Sequence, residues 1–308
     1  MIPNPISLRG GTRAVAGLCV SLFIVACAGT PPMPPPRFPT PFKVIAHRGA
    51  SAYAPENTIP AYTQAQVLGV VDVELDVQLS KDDVVVLYHD NTLLKKTGQP
   101  GRVRDHTASE LLKMDIGTWF DRTHPEIEEK FSGTPLNTLE TFFETFGNSF
   151  QYHIELKSDD EELVRLTLKH VSAHDLEDNA RLTSFLFDQV MRARQQAPQI
   201  PTDLLVRDAA RLRKEAGVAA DAVLLPLQKA WVDRAADAGF ALVGFPAEDM
   251  TPELVQYAVS RGLEIRAWRI RGDEDMHHAL EVGAYGMTTN WPDRLIRELL
   301  RQKRAGGS

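Results

Sequence analysis

Residues 70–79 run Val-Val-Asp-Val-Glu-Leu-Asp-Val-Gln-Leu. The run is rich in β-branched residues and ends at the turn Ser80-Lys81-Asp82-Asp83, a pattern that predicts a strand. Side chains alternate along a strand, so Glu74 and Asp76 share one face and Leu75 and Val77 the other. If the apolar face packs against helices, the acids must point the other way, into the interior of a closed sheet.

The surrounding chain supports that geometry. Upstream, Lys43–His47 predicts a strand and Ile59–Leu68 a helix. Val84–His89 is strand-like and follows closely. The stretch Thr97 to Pro135 breaks the alternation; it carries turn signals, a short helix over Ser109–Met114 capped by Thr107, and aromatic residues near Trp119. It is expected to be an insertion on a larger domain. Helix Thr138–Phe146, strand Gln151–Lys157, helix Glu161–His174 and strand Arg181–Phe185 resume the pattern. Thr202–Val206, Ala222–Leu225, Ala241–Phe245, Glu264–Arg269 and Tyr285–Thr289 are further strand candidates, each near a helical stretch. Repeated βα units imply a parallel sheet with helices outside. Their number and a length of 308 residues favour an α/β fold of the (β/α)8 TIM-barrel type over an open doubly wound sheet. There are more strand candidates than the eight a barrel holds. No Gly-x-Gly-x-x-Gly follows the first strand, which argues against a dinucleotide site.

Polar motifs gather at the C-terminal ends of these strands, where barrels build their sites. They are His47-Arg48-Gly49-Ala50 with Pro55-Glu56-Asn57-Thr58, then Glu74-Leu75-Asp76, His89-Asp90 and Glu155-Leu156-Lys157. His153, Glu155 and Lys157 share a strand face, as Glu74 and Asp76 do. Carboxylates converging in a barrel interior repel one another and lose hydration. A bound cation removes that conflict, and an all-oxygen set of Glu74, Asp76 and Glu155 points to Mg²⁺ or Ca²⁺. Arg48 can clamp phosphate oxygens and Lys157 can add a second charge. Gly49 allows a close backbone turn. His47 and His89 remain for proton transfer, each such role being worth roughly 10²–10⁴-fold in rate. His153 lies one step deeper and is expected to be structural. The remaining histidines fall in the insertion or on helix surfaces.

Composition narrows the chemistry further. A formal net charge of -7 argues against a nucleic-acid surface, though a local cation can still bind an anionic substrate. Both cysteines, Cys19 and Cys27, lie in the first thirty residues, which excludes a cysteine nucleophile or thiolate metal site from the body of the chain.

The N-terminus has the pattern of an address. Arg9 and Arg13 precede an apolar run from Ala14 to Ala26, too short to span a bilayer comfortably. Ile24-Val25-Ala26-Cys27 looks like a bacterial lipobox. The expected organisation is a lipoprotein signal at 1–26, acylation at Cys27, a Pro-rich linker at 27–41, a barrel domain at 42–302 with the insertion at 97–135, and a tail at 303–308. Such a protein would sit in the cell envelope, anchored to a membrane by lipid, on the periplasmic side.

The motifs in this order resemble the glycerophosphodiester phosphodiesterase family, most closely from Ile45 to Asp90 and more loosely through residue 300. The inserted segment after His89-Asp90 matches the family's small inserted subdomain. The resemblance implies metal-dependent hydrolysis of a glycerophosphodiester to sn-glycerol 3-phosphate and an alcohol. It implies His47 and His89 as the acid/base pair, Glu74, Asp76 and Glu155 as ligands of Ca²⁺ or Mg²⁺, and Arg48 and Lys157 on the phosphate. Asn57 would order the His47 loop, and Ser184-Phe185 matches a strand motif expected to be mainly structural. Trp268 is kept and would wall the substrate pocket. Arg271 stands where the family commonly has Asn, and Asn290 where Asp is frequent. These departures are expected to affect the alcohol group and leave the metal and the histidines untouched. Two rivals are a lysophospholipase D-like action on membrane lysolipids and a non-catalytic phosphate-binding lipoprotein.

Overall fold

A computed structural model describes residues 42–305. The signal-like run, Cys27 and the Pro-rich linker lie outside the described residues.

Among the described residues, ten strands form one sheet. They are β1 (Lys43–His47), β2 (Asp72–Leu79), β3 (Val85–Leu87), β4 (Asn137–Thr138), β5 (Gln151–Leu156), β6 (Ala180–Ser184), β7 (Thr202–Leu205), β8 (Leu242–Pro246), β9 (Glu264–Trp268) and β10 (Gly286–Thr289). Eight of them pair in parallel in the order β1-β10-β9-β8-β7-β6-β5-β2, and β2 returns to β1 to close a barrel. Helices follow the barrel strands around the outside, as the expected (β/α)8 fold requires.

Two strand expectations resolve the surplus. Val84–His89 does form a strand, but β3 pairs antiparallel with the upper end of β2, outside the barrel. Ala222–Leu225 is not a strand: a helix begins at Leu225 and runs to Asp237. Pro226 explains the difference. Its fixed φ suits the first turn of a helix, and it has no N–H for a sheet ladder.

Alternation along the strands sorts the core. Leu75, Val77, Ile154 and Leu156 face the helices and are at most 1% exposed. They pack with Phe142, Phe143, Tyr62 and Tyr152. Fully burying each such side chain contributes about 1.5–3 kcal/mol. The opposite faces are polar. Asp72, His153, Asp203 and Arg266 are buried along the barrel axis, where aliphatic layers are usual. They satisfy one another: His153 Nε2 meets Asp72 at 3.2 Å, Arg266 donates to His153 Nδ1 at 3.0 Å, and Arg181 forks onto Asp203 at 2.8 and 3.0 Å. His153 thus belongs to the barrel core.

Between β3 and β4 the chain leaves the barrel. Short helices over Leu94–Thr97, Ala108–Leu111 and Gly117–Thr123 enclose a small core of Val86, Tyr88, Leu93, Leu111 and Ile116. Thr107 caps one of them in a box with Glu110. The excursion matters to the site because β3 is tied to β2 by Tyr88 N–H donating to Asp76 O at 3.1 Å. That contact sets His89 beside the barrel mouth.

Candidate active site

The strand register brings the acids together. Asp76 of β2 pairs with Glu155 of β5, and Glu74 pairs with His47 of β1. Ligand oxygens of Glu74, Asp76 and Glu155 lie within 4.8 Å of one another, and all three residues are buried. Burial and the charges of Asp76 and Glu155 push the Glu74 carboxyl well above the usual carboxylate range. Burial opposes ionisation of Asp76 as well, yet Lys157, Arg48 and His89 together hold its carboxyl below that range. Glu74 Oε1 is buried and accepts no hydrogen bond, and buried Asp76 Oδ1 has only the Lys157 ammonium beside it, at 3.3 Å. An orphaned carboxylate oxygen within a cluster of buried acids fits a hard divalent cation.

The backbone beside the triad is shaped for close approach. Arg48 and Asn57 hold positive φ of 55° and 58°. Asn57 explains why this conformation persists. Its N–H donates to Arg48 O at 3.0 Å, its Nδ2 donates to Asp76 at 2.8 Å, and its Oδ1 accepts from Tyr62 Oη at 3.0 Å and Asp76 N at 3.2 Å. Gly49 has φ of 82°, and a Cβ there would stand 2.7 Å from the Ala61 carbonyl carbon. Thr58 precedes the helix Ile59–Val67, but its hydroxyl donates to Pro55 O and caps nothing.

Arg48 is fixed at several points. Its N–H donates to Glu74 at 3.0 Å, Nη1 reaches both Glu56 oxygens at 3.0 Å, and Nε lies 3.1 Å from Asp76. Lys157 lies elsewhere than a clamp on the cavity would need. Its Nζ sits 2.6 Å from Glu155 and 3.3 Å from Asp76, behind the triad, and it lines a neighbouring recess.

Each histidine has its own orienting partner. His47 Nδ1 lies 2.6 Å from Asn290 Oδ1. An amide oxygen only accepts, so Nδ1 carries the proton and Nε2, 4.0 Å from Glu74, is left for the cavity. Burial, with Arg48 adding to it, holds the His47 ring below the ordinary histidine range. His89 Nδ1 lies 2.7 Å from Asp90 Oδ1. The Asn290 departure therefore reaches a histidine directly, contrary to the sequence expectation. The β10 end and the β1 end pair side by side, and this register places the two residues in contact.

A cavity of about 360 Å³ joins these parts. Its lining includes the polar His47, Arg48, Glu74, His89 and Glu155 and the apolar Phe185, Leu205, Trp268 and Ile270. Trp268 lies edge-on to Phe185 at 5.1 Å, so Phe185, expected to be structural, is part of that lining. Arg271 reaches the rim but forks onto Asp275 at 2.9 and 3.0 Å. A second cavity of about 220 Å³ opens at the opposite barrel end, and its main charges, Lys43, Asp72, His153, Arg181 and Arg266, are already paired. Asp90, Glu56, Lys96 and Arg266 also support the site or the barrel beneath it, beyond the residues expected from the sequence. Asp90 was legible from its place beside His89; the others needed the tertiary contacts.

Carboxylates, imidazoles and an arginine around one cavity at strand C-termini are the parts of a phosphoric diester hydrolase. Comparison with known proteins gives the family. The family model for the glycerophosphoryl diester phosphodiesterase family matches residues 47–294. A glycerophosphodiester phosphodiesterase of Bacillus subtilis (strain 168) is 31% identical over 258 residues, 81% of this chain and 83% of its own length. One from Caldanaerobacter subterraneus subsp. tengcongensis is 31% identical over 82% of this chain and 96% of its own. An Oleispira antarctica phosphodiesterase solved with the product sn-glycerol-3-phosphate shares the fold, with a TM-score of 0.70, 22% identity, and coverage of 85% of this chain and 97% of that one. The chain belongs to the glycerophosphoryl diester phosphodiesterase family.

Proposed function

We propose that this protein hydrolyses glycerophosphodiesters to sn-glycerol 3-phosphate and an alcohol, with a divalent cation held by Glu74, Asp76 and Glu155. The observation that carries the reading is the buried triad, in which Glu74 keeps an orphaned oxygen and Glu74 and Glu155 line one cavity with two oriented imidazoles. An oxygen-only ligand set favours Mg²⁺ or Ca²⁺. When bound, the cation supplies Lewis-acid stabilisation of charge on a phosphate oxygen. The chain's own residues do the rest. Arg48, pinned on two sides, presents guanidinium charge to the phosphate without reorganising. Lys157 pairs with Glu155 and Asp76 and adds positive potential behind them. His47 and His89 carry protons at Nε2, one from the attacking hydroxyl and one to the leaving oxygen. Asn290 and Asp90 hold their tautomers. Phe185 and Trp268 exclude water on the alcohol side.

The large exposed apolar side chains of the excursion are Leu94 and Leu112, and neither lines the cavity. That arrangement favours small soluble diesters over lysolipids. The test is an assay of the metal-stripped protein on glycerophosphocholine, glycerophosphoethanolamine and lysophosphatidylcholine, with Ca²⁺ or Mg²⁺ restored. Turnover of the first two is expected. No metal-dependent turnover of any diester would refute the reading, and unchanged activity in His47→Ala would remove the proton-transfer assignment. The Cys27 pattern supports a lipid anchor in the cell envelope. Incorporation of labelled fatty acid that Cys27→Ser abolishes is the expected result; equal labelling of the variant would overturn it.

A further inference from the structure

Lys96 is 4% exposed, an unusual burial for an ammonium. It belongs to the short helix Leu94–Thr97 of the excursion, outside the barrel. Its Nζ sits 2.6 Å from Glu56 Oε1 and 2.9 Å from Asp90 Oδ2. The rings of Tyr88 and Trp119 flank it at 5.6 and 5.3 Å. Each carboxylate has a second partner: the other oxygen of Asp90 holds His89, and Glu56 holds Arg48. One buried cation thus ties the histidine arm on β3 to the arginine arm on β1.

Charge explains why such a cation is needed. Ligand atoms of Glu56, His89 and Asp90 lie within 4.8 Å of one another, a second acidic cluster beside the metal triad. Two carboxylates so close, with neither fully hydrated, repel. The Lys96 ammonium fills the place between them that a second metal would otherwise take. Without it, Glu56 keeps its pair with Arg48, and Asp90 is the freer of the two. Asp90 then turns from the repulsion toward water, and His89 loses the contact that sets its tautomer.

We propose that Lys96 is a positioning residue for the reaction, holding Asp90 so that Asp90 holds His89. The proposal rests on the reading of His89 as a proton-transfer group. It also gives the excursion a part in turnover, because the cation and its aromatic box come entirely from that segment.

The test uses the full chain, saturating divalent cation and glycerophosphocholine. Lys96→Met, Asp90→Asn, the double variant and His89→Ala are compared by kcat and KM. Proton transfer is worth roughly 10²–10⁴-fold, so loss of its positioning should lower kcat of Lys96→Met by about 30-fold or more. KM should move by less than about threefold, which a general loosening of the site would not produce. The double variant should fall no further than about threefold below Asp90→Asn alone. A Lys96→Met kcat within about threefold of the parent overturns the proposal, as does a double variant equal to the product of the singles. If Lys96→Met shows no cooperative thermal transition, Lys96→Gln is judged by the same limits. Unchanged activity in His89→Ala would instead refute the reading beneath it.

Discussion

Glu74→Gln should make the metal-free protein more stable and the enzyme inactive. Glu74 is 2% exposed, and its ligand oxygen lies within 4.8 Å of those of Asp76 and Glu155. At an effective dielectric constant of about 20, two unit charges at 4.8 Å repel by about 3.5 kcal/mol. Arg48 and Lys157 offset part of that repulsion. The metal-free fold therefore resists ionising Glu74, which the unfolded chain ionises freely at pH 7, and a net relief of about 1–3 kcal/mol is expected when glutamine removes that mismatch. Glutamine is nearly isosteric and can still accept from the Arg48 N–H, so little packing is lost. In a domain of this size, that relief raises the melting temperature by roughly 3–8 °C. Binding of a cation at a hundred times its Kd stabilises the parent by about 2.7 kcal/mol, and the variant should gain almost none of it. The assay is thermal denaturation in chelator and in saturating Ca²⁺ or Mg²⁺, with turnover measured on the same samples. A variant less stable than the parent in chelator would show that the acids are not in conflict. A full metal-induced shift in the variant would show that Glu74 is not a ligand.

Other expectations concern the supports of the site. Asn290→Ala frees His47 Nδ1 and should lower kcat about 10- to 100-fold with KM nearly unchanged, as steady-state kinetics would reveal. Gly49→Ala forces a side chain into positive φ against the Ala61 backbone, so urea unfolding should show a loss of more than about 2 kcal/mol. His153 titrates below its unfolded value of 6.5, chiefly through burial. The unfolded chain therefore takes up a proton that the native protein refuses, and stability falls as pH drops below 6.5 at up to about 1.4 kcal/mol per pH unit. In His153→Gln that part of the acid loss should vanish; a difference between the two proteins that stays flat from about pH 7 to 5 would contradict it.

Much of this was legible because strands have a period of two. Glu74, Asp76 and Glu155 could be assigned to one interior before any contact was known, and His47 and His89 to the same end of the barrel. The failures have equally physical causes. Ala222–Leu225 has strand composition, but Pro226 makes it the approach to a helix. Lys157 has the right charge at the right strand end, yet its long side chain turns to Glu155 and Asp76. That Asn290 touches His47 is hidden because a linear sequence does not show that the ends of β1 and β10 are neighbours. Lys96 sits in a region without periodicity, and nothing local distinguishes it from the exposed Lys95.

The most direct test is a titration of the metal-stripped protein with Ca²⁺ or Mg²⁺ on glycerophosphocholine, following sn-glycerol 3-phosphate as cation is added. The expected products are sn-glycerol 3-phosphate and choline, formed in proportion to bound cation and saturating at one per chain. Equal turnover in chelator, or release of phosphocholine in place of sn-glycerol 3-phosphate, would contradict that expectation.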